Sequence, residues 1–131
     1  MKDEILQTSL TQFLKYGIRE MSIQKLIAPL GISTKTVYKY FKNKEELLEE
    51  GLYLYHNQKY ELLQNLPAGR STVCLLFDIW QNAVETEYKV NNAFFQDLHY
   101  YYPELSRKVE LNITKKFSDR FIEIIEQGVA E

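Results

Sequence analysis

The sequence is poor in the residues that cross-link a fold or interrupt helices. It has one cysteine, three prolines and five glycines in 131 residues. A single cysteine, Cys74, excludes an intramolecular disulfide and argues against a cysteine-based zinc site, so we expect a small buried thiol in a reducing compartment. No run approaches the roughly 18 apolar residues of a membrane span. No stretch shows the alternation of half-buried strands. We therefore predict an all-α protein that does not cross a membrane.

The charge is nearly balanced over the whole chain but unevenly distributed along it. The formal net charge is −2. Residues 15–44 hold seven basic residues and one acidic residue, whereas residues 51–131 hold eight basic and eleven acidic residues. A local cationic window on an acidic body is typical of a phosphate-binding module joined to a second unit. Such a window is weak by itself, because most charge runs are solvated surface.

Apolar residues recur at helical spacing in seven segments. Ser22, Ser33 and Asn43 stand where they can cap the second, third and fourth helices, and Pro103 opens the last one. The clearest break in the chain is Pro67-Ala68-Gly69. The predicted helices run over about residues 2–16, 23–30, 34–41, 44–66, from 71 through 84, 94–101, and from 103 onward.

The second and third of these helices form a candidate helix-turn-helix. Gly31-Ile32-Ser33 makes the tight turn between them, and Val37 and Phe41 point inward. Two short helices joined in this way bind DNA when the second can lie in the major groove. Without a DNA role, the same pattern would be a simple helical hairpin. The outward residues of the third helix can reach base edges and phosphates: Thr34, Lys35, Thr36, Tyr38 and Lys39.

Residues 21–48 resemble the DNA-binding signature of the TetR family of transcriptional regulators. The most specific parts are Gly31-Ile32-Ser33, Tyr38-Lys39-Tyr40-Phe41 and Asn43-Lys44-Glu45-Glu46-Leu47. Gly17-Ile18 also fits the turn that follows the first helix in that family. Pro29 departs from the pattern, and we expect it to kink the last turn of the second helix.

The resemblance implies roles for individual residues, each of which could also be ordinary surface. Ser22 would bind a phosphate at the start of the second helix while also capping it. Thr34, Lys35 and Thr36 occupy base-reading positions. Tyr38 and Tyr40 would contact the sugar-phosphate backbone, and Lys44 would lie on a phosphate. The implied partner is a palindromic double-stranded operator.

The second half of the chain carries no specific motif but many aromatic residues. We divide the chain into a DNA-binding domain at residues 1–46 and a helical regulatory domain at residues 47–131. Most aromatics are expected to be core, while some would line a pocket for an apolar or amphipathic effector. The residues predicted for this lining are Phe77, Trp80, Phe94, Asn112 and Phe121.

Oligomeric state follows from the resemblance alone. Similar proteins generally continue for two or more further helices that form a four-helix dimer interface. We therefore expect a homodimer for the complete protein, a regulatory domain incomplete at its C-terminus, and exposed apolar stripes on the fifth and seventh helices. These stripes would include Phe117, Phe121 and Ile125.

Neither catalysis nor a cofactor is indicated. His56 and His99 lack a neighbouring nucleophile or a metal-ligand spacing, so no catalytic residue, metal site or cofactor is predicted. The expected function is a cytoplasmic repressor, associated with the bacterial nucleoid when it is bound to its operator. The alternative is a helical protein-interaction adaptor that keeps the fold without binding an operator.

Overall fold

The structure is a computed structural model that describes residues 1–65, 69, 71–88 and 90–130. All regular secondary structure within these ranges is helical, as predicted. A 3₁₀ turn at Ala28–Leu30 follows the second helix. Most of the predicted break at Pro67-Ala68-Gly69 lies outside the described residues. The helices are α1 (Lys2–Tyr16), α2 (Ile23–Ile27), α3 (Thr34–Tyr38), α4 (Lys44–Gln64), α5 (Thr72–Tyr88), α6 (Asn92–Tyr101) and α7 (Pro103–Ala130).

Two of the three predicted N-caps form as expected. The Ser22 hydroxyl accepts the N–H of Lys25 at 3.3 Å, and Asn43 Oδ1 accepts the N–H of Glu46 at 2.8 Å. Each bond satisfies a backbone donor that has no partner within its own helix. The Glu46 carboxylate reaches back to the N–H of Lys42 at 3.3 Å, one residue before the cap.

The prediction for Ser33 as a side-chain cap is wrong. Its backbone is extended at the N-cap position of α3, but its hydroxyl accepts no backbone N–H. Instead it lies 3.4 Å from the hydroxyl of Thr36. The two hydroxyls pair with each other, so the first turn of α3 is left without a side-chain acceptor from Ser33.

Pro29 shortens α2 as its chemistry requires. The α-helix ends at Ile27, and Ala28–Leu30 continues as a 3₁₀ turn. Proline cannot donate the backbone bond that would extend α2. Gly31 then adopts φ 64°, a left-handed conformation that glycine takes without a steric penalty. The last turn of the predicted second helix is therefore a 3₁₀ turn and not part of the α-helix.

One hydrophobic core joins the N-terminal helices to α6. Phe13, Leu26, Phe41 and Leu47 are buried in the N-terminal half, and Phe94 of α6 is buried in the same cluster. Helix α1 therefore packs on α4, α2 and α6. The proposed boundary after residue 46 falls inside the first turn of α4, so this helix is common to both halves.

Helices α4 and α7 run parallel and are joined by polar contacts at regular intervals. Lys108 Nζ binds Glu49 Oε1 at 2.7 Å, Asn112 Nδ2 donates to the Tyr53 hydroxyl at 2.8 Å, and Lys116 Nζ donates to Asn57 Oδ1 at 3.2 Å. Each step advances four residues on both helices, which keeps successive contacts on facing sides. The contacts fix the register of α4 along α7.

Helix α7 does not keep one face buried along its length. Leu105, Val109 and Ile113 are buried, but Ile125 is exposed and its neighbour Ile124 is buried instead. A strict four-residue repeat advances about 40° per step around a helix of 3.6 residues per turn. After five steps the repeat has turned to the other side, which explains the exposure of Ile125.

The expectation that Cys74 is buried is wrong. Cys74 lies on the exposed part of α5, as do Val73 and Phe77. Helix α5 turns Leu75, Leu76 and Ile79 partly inward and packs on α7. Position 74 lies off that inward side.

Candidate DNA-binding interface

Helix α3 presents polar and aromatic side chains around one buried anchor. Val37 is fully buried, while Tyr38 is 54% exposed and Lys35 and Lys39 are exposed beside it. Phe41 is buried, as predicted. The anchor fixes the helix on the core of α1, α2 and α4, so the outward residues project from a rigid support.

The other predicted contact residues of this surface lie within α3 or close to it in sequence and at the start of α2. Tyr40 is 38% exposed and Ser22 is exposed at the start of α2. Thr34 and Thr36 are half-buried, and the Thr36 hydroxyl faces Ser33. These residues lie in or next to α2 and α3, which is the arrangement that a groove-binding surface needs.

Lys44 occupies a position that the sequence did not reveal. Its ammonium donates to the backbone carbonyl of Ile18 at 2.7 Å. Burial lowers the pKa of Lys44 from its ordinary value, and the nearby Asp97 carboxylate partly opposes this shift. An ammonium has three donors, so two remain for other acceptors.

Helix α6 holds the end of α1 through contacts that sequence reasoning missed. The Asn91 N–H donates to the Leu14 carbonyl at 2.9 Å, and its side-chain amide donates to the Lys15 carbonyl at 3.0 Å. The guanidinium of Arg19 lies 5.4 Å from the ring centre of Tyr101, within cation–π range. Asn91 also caps α6 by accepting the N–H of Ala93. The local cap could be read from the sequence, but the contacts with α1 are more than 70 residues apart and could not.

A cavity of about 650 Å³ lies between α4, α5 and α7. This volume is in the range of sites that hold small organic ligands. Its apolar wall includes Leu62, Ile79, Ile113 and Phe117. Polar groups at the wall include His56, Lys59, Asn65, Asp78, Asn82, Thr114 and Ser118.

Of the five residues predicted for the pocket lining, Phe121 alone lines this cavity. Phe77 and Trp80 are 59% and 62% exposed on the other side of α5, and Phe94 is fully buried in the core with α1. Asn112 is bonded to Tyr53 in the contacts between α4 and α7. The number of aromatic residues suggested a pocket. The residues that line it depend on which face of α5 turns inward, and the number of aromatics does not determine that face.

His56 is a neutral group in the cavity wall at neutral pH. Burial and then the positive charge of Lys59 lower the pKa of His56 to about 4, while Glu110 acts in the opposite direction. The Lys59 ammonium lies 4.5 Å from the ring centre of Tyr55. The cavity therefore offers neutral and cationic donors beside apolar surface.

Helix α2, the turn at Gly31 and helix α3 form a helix-turn-helix. Residues 5–50 match the family model described as "Bacterial regulatory proteins, tetR family". Residues 5–50 therefore carry the N-terminal DNA-binding domain of the TetR family. No curated protein and no solved structure matches the chain significantly.

Across the described ranges, no helix is long and apolar enough to cross a membrane. Within the same residues, no group of three histidine, cysteine, aspartate or glutamate side chains could hold a metal ion.

Proposed function

We propose that this regulator is a sequence-specific repressor that binds a palindromic operator as a homodimer and is released by a small molecule. The observation that carries the DNA-reading part is the exposure of Lys35, Tyr38 and Lys39 around buried Val37. Side chains that leave a fixed helix on one side can enter a major groove together.

The contact residues divide by what they would bind. Lys35 donates to guanine acceptors, with Thr34 and Thr36 beside it to contact a thymine methyl group. Tyr38, Tyr40 and Lys39 contact the sugar-phosphate backbone. Ser22 and Lys44 bind phosphates at the starts of α2 and α4. Phosphate contacts set the orientation, and base contacts set the sequence preference.

A homodimer is supported by apolar side chains that the described structure leaves in solvent. On α5 these are Val73, Phe77 and Trp80; on α7 they are Ile122, Ile125 and Val129. Exposed apolar surface of this kind commonly marks an interaction site. Pairing two recognition helices on half-sites raises operator affinity through effective concentration.

The proposed effector site is the cavity between α4, α5 and α7. Helix α4 supplies His56, Lys59, Leu62 and Leu63 to the cavity wall. The same helix begins at Lys44, and its 21 residues span about 30 Å. A ligand that displaces α4 against α7 therefore changes the position of the DNA-binding end. We propose an apolar or amphipathic molecule, because the wall combines apolar side chains with a few polar groups.

The proposal is tested by selecting duplexes from a random DNA library with the wild-type chain. We expect a palindromic consensus that binds at least about a thousandfold more tightly than random DNA at physiological salt. Equal enrichment of all sequences would instead support the adaptor alternative. Dilution of the complex, followed by light scattering, measures whether two copies bind together.

The effector step needs a separate measurement with a defined probe. We expect the fluorescent dye 1-anilinonaphthalene-8-sulfonate to bind saturably and to lower affinity for the selected duplex, because coupling between two sites is reciprocal. The fluorescence of the dye reports binding better than the intrinsic fluorescence of Trp80 does, because Trp80 does not line the cavity. Saturable dye binding that leaves DNA affinity unchanged would contradict this release mechanism.

A further inference from the structure

Asp97 of α6 binds the turn between α1 and α2. Its Oδ2 atom accepts the backbone N–H of Ile18 at 3.0 Å and that of Arg19 at 2.9 Å. Ile18 is buried, so its N–H would otherwise lose its hydrogen bond to water without replacement. One carboxylate oxygen thus satisfies two consecutive donors from a segment nearly 80 residues away.

The turn is shaped to allow this approach. Gly17 has φ 88°, and a Cβ atom there would lie 3.1 Å from Asp97 Oδ2 and 3.2 Å from Ala93 Cβ. The absence of a side chain lets α6 come close enough for its carboxylate to reach both N–H groups. The geometry of Gly17 and the position of Asp97 are therefore parts of one contact.

The peptide groups of Ile18 link Asp97 to Lys44. The N–H of Ile18 is held by Asp97, and its carbonyl accepts the Lys44 ammonium at 2.7 Å. Lys44 stands at the start of α4, six residues after the last residue of α3 along the chain. The direction of the ammonium depends on where the Ile18 carbonyl is fixed.

We propose that Asp97 is a positioning residue for DNA binding, which acts by holding the Ile18 turn so that its carbonyl directs the Lys44 ammonium toward a DNA phosphate. This inference rests on the proposed function, because it uses the phosphate contact of Lys44. In this role Asp97 acts through Ile18 and Lys44 and not through a contact of its own with DNA. It connects α6, in the regulatory half, to the DNA-binding surface.

The test is a double-mutant cycle on the duplex selected by the wild-type chain. Asp97→Ala should weaken binding about tenfold. It should also reduce the salt slope, which is the slope of log affinity against log salt concentration, by up to about 1, the same change that is expected for Lys44→Ala. In the Lys44→Ala background, Asp97→Ala should cost less than about twofold, since residues that act as one unit are not additive. Gln96→Ala, at an exposed neighbour on α6, is the matched control and should bind like wild type.

Folding is controlled by melting each variant and measuring binding where all are folded. Asp97→Asn keeps an oxygen acceptor, so it should recover most of the affinity. If Asp97→Ala does not fold, Asp97→Ser replaces it in the cycle, because its shorter side chain cannot place an oxygen where Asp97 Oδ2 meets both N–H groups. The inference is wrong if Asp97→Ala binds with wild-type affinity, or if the loss of affinity in the double variant is the product of the two single losses. Either result would leave the proposed phosphate contact of Lys44 intact. An unaffected Lys44→Ala would refute the proposed phosphate contact, and the inference with it.

Discussion

The Arg120 guanidinium is hydrogen-bonded to the backbone carbonyl of Leu63. Its Nε and Nη2 atoms each donate to that oxygen at 3.2 Å, and Nη1 binds Glu123 Oε2 at 3.2 Å. The last carbonyls of α4 have no partner within the helix, and a cation favours the negative end of the helix dipole. Arg120 thus ties the end of α4 to α7, next to the cavity that Leu63 lines.

Removing this contact should destabilise the protein. Arg120→Ala leaves the Leu63 carbonyl without its charged donor, so we expect a loss of about 1–3 kcal/mol in the free energy of unfolding. Urea denaturation measures it. Lys115→Ala, at an exposed position of the same helix, is the control and should change stability by less than about 0.5 kcal/mol. Equal losses in both variants would show that Arg120 has no special role.

Two glycines separate backbone strain from steric contact. Gly17 and Gly31 both have positive φ, but a Cβ atom would meet Asp97 and Ala93 at Gly17 and nothing within 4 Å at Gly31. Gly31→Ala should cost about 1 kcal/mol of unfolding free energy from strain alone. Gly17→Ala should cost more, because α6 must also move away. Thermal denaturation measures the loss of stability in both variants. Equal losses would mean that α6 moves away from position 17 without a cost and would contradict this prediction.

His56 should make stability depend on pH. An unfolded histidine binds a proton below about pH 6.5, whereas burial and Lys59 lower the pKa of His56 to about 4 in the folded protein. Between these values the unfolded state binds more protons, so this contribution falls as pH drops from about 6.5 to 4. A pKa difference of this size corresponds to about 3 kcal/mol of unfolding free energy. The expected loss is smaller, because His56 is partly solvated.

The matched comparison uses glutamine at each histidine. His56→Gln should remove this part of the pH dependence, while His99→Gln, at an exposed site on α6, should retain it. Urea denaturation from pH 4 to 7 measures both. The same pH dependence in wild type and His56→Gln would contradict the burial of the imidazole.

Filling the cavity should block ligand binding without removing the fold. Ser118 lies in the cavity wall on α7, whereas exposed Gln127 of the same helix is not in it. Ser118→Phe occupies part of the 650 Å³ volume, so we expect about a tenfold weaker affinity for the anilinonaphthalene dye. Gln127→Phe should bind the dye like wild type. A titration in which both variants bind equally would place the dye elsewhere.

The sequence predicted those features that depend on neighbouring residues. Caps at Ser22 and Asn43, the effect of Pro29 and the burial of Val37 follow from chemistry within a few residues. The inward face of α5 could not be predicted in this way, since apolar residues occur on several of its sides. The hydrogen bond between Asp97 and Ile18 depends on how α6 packs on α1. The two residues are far apart in the sequence, so the spacing of residues along the chain could not predict it.

The claim that α3 reads DNA sequence is tested most directly at Lys35, which is exposed on α3. Binding of Lys35→Ala is measured on the selected operator and on a random duplex at several salt concentrations, with Lys44→Ala as the comparison. We predict that Lys35→Ala loses about 1–3 kcal/mol on the operator and relaxes preference at one base pair. Lys44→Ala should weaken both duplexes alike and reduce the salt slope by about 1. Equal weakening of both duplexes by Lys35→Ala would contradict the base-reading role of α3.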